Sequence, residues 1–248
     1  MNTPPELATL YDVINKENDI INYVKENPSE DIVYSFKSID LKINHVNQLD
    51  VVIAGSKAIT LLRKELKLAN LKQIENHKLI NQKYIQDFLK TYNNTSVDVI
   101  NITNILHQID AYYAKSHQKQ LFGDFTANDT DLFIINSPDK QRFTLDDLDI
   151  IHTTHKSIDA LILDFDLPCC RVARDLQNTF HVSLQCLYSL LTGFVYVPHY
   201  VFDETLYKGI NFNKLTFRRE KYKKRGYTMR VYHTDKVLSC YLNGFKYN

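Results

Sequence analysis

Two carboxylates one residue apart, Asp129 and Asp131, open the stretch Asp129-Thr130-Asp131-Leu132-Phe133-Ile134-Ile135. The apolar residues after them predict a buried strand. Strand geometry turns both carboxylates to one face. Two like charges that close are costly to keep ionised without a counter-charge. A hard divalent cation with oxygen ligands, typically Mg²⁺ shared with a phosphate, is the usual solution. This stretch is therefore a candidate phosphoryl-transfer centre.

Two other segments carry complementary chemistry. Val51-Val52-Ile53-Ala54 predicts a short strand that stops at Gly55-Ser56, directly before a helical pattern at Ile59, Leu62 and Leu66. Glycine lets the backbone approach a ligand closely, and the helix start offers free N–H groups to a phosphate. Asp164-Phe165-Asp166 is a second alternating carboxylate pair, at the start of a strand-like segment over 165–173. If the two acidic strands are neighbours, three carboxylates converge. Two cations could then clamp an in-line displacement at a nucleoside triphosphate. Asp164 and Asp166 share a face, so the third carboxylate is one or the other.

A basic run, Arg218, Arg219, Lys221, Lys223, Lys224 and Arg225, lies near the end of the chain. Lys221 and Arg225 are candidates to neutralise a triphosphate, and the run could also track a nucleic-acid backbone. It reads equally well as a solvated helix face. Tyr222 and Tyr227 could stack a base, and Tyr222 reads equally well as a core residue. His152, His155, Cys169, Cys170 and His181 have no zinc spacing. There is no Ser-His-Asp order, Walker loop or dinucleotide fingerprint.

The elements that must hold these residues are legible in outline. Helical spacing covers about 6–27, with a break near Asn18-Asp19. Residues 31–36 and 39–43 are strand-like or short connections. From about 64 to 120 the chain is rich in Lys, Asn and Gln and reads as a helical hairpin broken at 93–96. Leu148–Thr153 predicts a strand, and 157–163 a short helix capped by Ser157. The turn at 175–178 predicts a hairpin with Phe180–Leu184. A helix over 185–191 ends at Gly193. A strand over 227–232 follows Gly226.

The 248 residues suit one domain, and the 44% apolar fraction with 16 Tyr and 13 Phe supplies a core. A net charge of +1 gives no global footprint for nucleic acid. The four cysteines, two of them adjacent, read as reduced core residues. The N-terminus has no apolar signal core, and the longest apolar run, 187–197, is too short to cross a bilayer. A soluble cytoplasmic protein with no membrane partner is expected.

The Gly-Ser strand, the Asp-x-Asp strand and a later acid resemble the nucleotidyltransferase superfamily of the DNA polymerase β type. Asn128–Phe133, Phe165-Asp166-Leu167-Pro168-Cys169-Cys170-Arg171-Val172 and Lys221–Tyr227 resemble an uncharacterised branch common in large DNA viruses. The resemblance covers about half the chain. It implies an α+β (mixed α/β) fold: a small twisted mixed sheet with packed helices over 1–248, a helical insertion at about 64–120, and a basic segment at about 215–232. It also implies transfer of a nucleoside monophosphate from an NTP to a hydroxyl on RNA, protein or a small molecule. Asp129, Asp131 and Asp166 would hold Mg²⁺ or Mn²⁺, and Gly55, Ser56, Lys221 and Arg225 would contact the nucleotide. The alternative is a non-enzymatic protein that keeps this fold, with a structural, self-assembling or host-interaction role in a virus or virus-like element.

Overall fold

The computed structural model describes residues 3–39, 51–91, 121, 127, 130–145, 148–199 and 212–232, with α3 side chains described to residue 73. The architecture is mixed α+β, built on a seven-stranded mixed sheet in the order β1-β7-β6-β2-β3-β5-β4. Its strands are β1 (Val33–Lys37), β2 (Val51–Ala54), β3 (Thr130–Ile134), β4 (Gln141–Leu145), β5 (Leu148–His152), β6 (Val172–Asp175) and β7 (Thr179–Ser183). Only β3 and β5 pair parallel; the other neighbours in this sheet are antiparallel. A separate parallel pair joins β8 (Phe194–Pro198) to β9 (Thr228–Tyr232).

One face of the large sheet packs against α1 (Leu10–Asn15), α2 (Glu17–Glu26), the start of α3 (Ser56–Thr91) and α5 (Leu184–Thr192). The buried side chains on this side include Phe36, Val172, Phe180 and Val182 from the strands, and Ile59, Leu62 and Leu66 from α3. The opposite face carries a smaller cluster of Val52, Ala54, Ile135 and Ala173 under Leu161 and Ile162 of α4 (Ile158–Leu163). Alternation along each strand produces this division: Val172 enters one cluster and Ala173 the other. Asp131 lies opposite Ala54, and Asp149 opposite Asp131. Both carboxylates therefore belong to the α4 face.

Local chemistry sets the element ends, at Ser157, Gly193 and Gly226 as the sequence leads one to expect and at Ser183 in addition. Ser157 caps α4 by accepting from the Ala160 N–H at 3.1 Å. Ser183 caps α5 through the Cys186 N–H at 3.1 Å, and Gly193 ends it at φ 74°. The helix α6 (Phe212–Lys224) is followed by Gly226 at φ 92°.

Some expectations meet a different structure. The segment read as a strand over 165–173 is a turn and a 3₁₀ helix (Pro168–Cys170), and β6 begins only at Val172. Pro168 has no N–H to donate to a ladder, and its fixed φ suits a helical first turn. α3 runs unbroken from Ser56 to Thr91, across residue 64 where the composition changes. The second helical run expected over 97–119, and the segment 40–43, lie outside the described residues. Cys169, Cys170 and Cys186 are buried free thiols. No helix among the described residues is long and apolar enough to cross a membrane.

Candidate metal and nucleotide site

The site is assembled where β2 ends beside β3. Gly55 follows Ala54 with φ 69°, a left-handed conformation that glycine takes at no steric cost. Its N–H donates to the Val172 carbonyl at 3.1 Å, tying the turn to β6. A Cβ built on residue 55 would stand 3.8 Å from Asp131 Oδ2. The Gly-Ser turn and the carboxylate, far apart in sequence, are thus neighbours. Asp129 lies outside the described residues.

β5 supplies a carboxylate that sequence reading did not single out. The parallel register sets Asp149 directly opposite Asp131, on strands about 4.8 Å apart. Asp149 Oδ1 accepts from Thr144 Oγ1 at 2.5 Å, and Oδ2 accepts from the Arg142 guanidinium. These two hydrogen bonds, Arg142 first, hold the Asp149 carboxyl below the usual carboxylate range. The Arg142 pKa is raised, chiefly by its bond to Asp149 and further by the charges of Asp149 and Asp131. Asp131 and Asp149 therefore share one cationic neighbour. In Leu148-Asp149-Ile150-Ile151-His152 the only sequence signal is a lone acid in an apolar strand.

Asp166 is positioned differently. It precedes the 3₁₀ helix, and its carboxylate pairs with Arg218 of α6 at 3.0 Å. Burial pushes its pKa up, and the Arg218 charge opposes that shift. Asp164, the other third-acid candidate, is exposed and sits 3.2 Å from His155 Nε2. Among the described residues no three His, Cys, Asp or Glu side chains come close enough to hold one metal ion. Two oxygen donors in register, Asp131 and Asp149, match the chemistry of a hard divalent cation.

The other flank is basic and comes from α6. Residues 218, 222 and 225 are spaced to share one helix face. Arg218 holds Asp166. Tyr222 Oη lies 3.0 Å from Ser56 Oγ, and Arg225 Nη1 donates to the same oxygen at 3.1 Å. The Arg225 guanidinium also lies 5.0 Å from the centre of the Tyr222 ring. Ser56 opens α3, whose first turn has no acidic residue. A helix N-terminus and a guanidinium thus meet at one hydroxyl, an arrangement suited to an anion. Lys221 is half-buried on the same helix. Tyr222 is 3% exposed and belongs to the core.

Tertiary pairing also creates a Ser, His and Asp contact that chain order hides. His181 lies 3.2 Å from Ser35 Oγ and 3.4 Å from Asp175 Oδ2. Asp159 lies 3.6 Å from the ring as well, and Asp175 Oδ1 accepts from the N–H groups of Gln177 and Thr179 in the β6–β7 turn. This is a cross-strand network that ties β1, β7 and β6 together.

Comparison of the chain with protein-family models, curated proteins and solved structures gives no match.

Proposed function

We propose that the protein is a metal-dependent nucleotidyltransferase that moves a nucleoside monophosphate from an NTP to a hydroxyl acceptor. The observation that carries this reading is the proximity of the Gly55-Ser56 turn to Asp131, with Asp149 in register beside it. The first residues of α3 and Arg225 bind the triphosphate. Asp131 and Asp149 would hold Mg²⁺ or Mn²⁺. A cation held there would supply charge stabilisation to the displacement. The acceptor hydroxyl oxygen bonds to the α-phosphorus and gives its proton to solvent, the α–β anhydride breaks, and pyrophosphate leaves.

Asp166 is a positioning residue in this reading. Through Arg218 it anchors α6, and so brings Tyr222 and Arg225 to Ser56. The test is transfer of labelled NTP, with Mn²⁺ binding measured in parallel. Asp131→Asn and Asp149→Asn should lose both, while Asp166→Asn should keep Mn²⁺ binding. Mn²⁺ binding that survives in Asp149→Asn would remove that residue from the metal site.

A second reading has its own observation. Arg142 on Asp149 and Arg218 on Asp166 neutralise two acids without any metal. That pattern suits a non-enzymatic protein of this fold with a structural or interaction role. It requires that the wild-type chain bind neither Mn²⁺ nor NTP.

A further inference from the structure

We infer that the cavity between α4 and strands β3, β5 and β4 binds the acceptor as a single nucleotide, and that Arg142 couples its occupancy to cation binding at Asp149. The acceptor role and the coupling rest on the transferase reading of Asp131 and Asp149; nucleotide binding by the pocket does not.

The cavity is an open cleft of about 400 Å³, within the size range of small-ligand sites. Its apolar wall includes Phe133, Phe165 and Leu161. The two phenyl rings stand 5.8 Å apart at 45°, offering flat carbon surface to a planar ring. Lys140 and Arg142 line the same cavity, and both are exposed. The one carboxylate of the lining, Asp164, is engaged by His155 at 3.2 Å, so an aromatic wall beside Lys140 and Arg142 suits a ligand with a planar ring and an anionic group, which describes a nucleotide.

Position assigns the role. Phe133 is two residues beyond Asp131 on the same strand face, about 7 Å away. That is the scale separating a nucleotide's base from its sugar hydroxyls and phosphate. Strand order places the cavity over β3, β5 and β4, whereas the Gly55-Ser56 turn ends β2. Asp131 therefore lies between the triphosphate cradle and this cavity. In-line displacement needs the acceptor opposite the leaving group, so the cavity is on the acceptor's side. The occupant is a free nucleotide or the terminal nucleotide of an RNA strand.

Arg142 belongs to both sites: it lines the cavity and donates to Asp149. A cation at Asp149 must displace it, and a nucleotide phosphate can capture it. Each ligand relieves the cost the other meets, and such coupling is reciprocal. A phosphate near a cation attracts it directly as well, so the Arg142 variant separates the two effects.

The test titrates Mn²⁺ into the full chain, read by the electron paramagnetic resonance of the free ion. Adenosine 5′-monophosphate (AMP) and a short single-stranded RNA are added in separate arms. Wild type should bind Mn²⁺ at least about fivefold more tightly with the nucleotide present. Coupling in the AMP arm alone assigns a free nucleotide; coupling in the RNA arm assigns a strand end. Arg142→Gln should bind Mn²⁺ more tightly than wild type without nucleotide, and should lose most of the coupling. Lys140→Gln should weaken AMP binding about tenfold and leave Mn²⁺ affinity unchanged. Both substituted residues are exposed, so folding is not at risk. Mn²⁺ binding that neither probe changes would overturn the coupling and leave the transferase reading standing. Absence of Mn²⁺ binding would overturn that reading and the coupling with it. The pocket is then judged by AMP alone: loss of affinity in Lys140→Gln supports it, and equal or absent binding overturns it.

Discussion

The two halves of the seven-stranded sheet are built to opposite specifications. In β6 and β7 nearly every side chain is buried, and Phe180 and Val182 are fully so. In β3 and β5 every position is half-buried, without the alternation of a strand covered on one face. The first half packs against α2, α5 and the start of α3 and fixes the fold. The second half holds the carboxylates, Arg142 and the cavity. The proposed chemistry falls on the half where solvent can reach the strand face. β2 lies between them, and Gly55, which follows it, is hydrogen-bonded to Val172 of the packed half and lies beside Asp131 of the other half.

Substitutions should separate the halves cleanly. The largest effect is expected from Asp131→Asn or Asp149→Asn. Loss of a cation ligand should lower nucleotidyl transfer about a thousandfold or more, with the melting temperature close to wild type. Phe180→Ala tests the packed half: its side chain is fully buried, so stability should fall by about 3–5 kcal/mol. Chemical denaturation measures that loss, and activity per folded molecule should be retained. If Phe180→Ala removed activity without loss of stability, the division would fail. Ser56→Ala comes next. It strips a buried Tyr222 hydroxyl of one partner and should cost about 1–3 kcal/mol, together with weaker NTP binding in a fluorescence titration.

The smallest effect compares two Arg–carboxylate pairs. Asp149 is held below the ordinary value by Arg142, whereas burial pushes Asp166 up despite Arg218. An unperturbed Asp titrates near about 3.9. The Asp149 contribution to stability is therefore present above that value and lost as pH falls through its lower folded pKa. Asp166 has the opposite sign: its contribution is present below the ordinary value and lost as pH rises through its higher folded pKa. Carbon-13 carboxyl shifts should titrate on opposite sides of the ordinary value, and Arg142→Gln should move Asp149 upward alone. Titration of both on the same side would contradict the contrast.

What the sequence discloses follows from how local each signal is. Ser157, Gly193 and Gly226 act within one turn of chain, and their cap and stops are visible as residue types. The β6–β7 hairpin is equally local. The edge strand β4, with Arg142 and Thr144, has no apolar run to announce it. Asp149 carries no short-range mark either. Its position opposite Asp131 depends on the parallel register of β3 and β5, which residue spacing does not disclose. The basic run hid a similar fact. Arg218, Tyr222 and Arg225 look like part of a solvated helix, yet they meet Asp166 and Ser56 through folding alone.

Mn²⁺ binding to wild type, Asp131→Asn, Asp149→Asn and Asp166→Asn tests the central claim most directly. The account predicts binding in wild type and Asp166→Asn, and its loss in Asp131→Asn and Asp149→Asn. Loss in Asp166→Asn with retention in Asp149→Asn, or no binding to the wild-type chain, would contradict it.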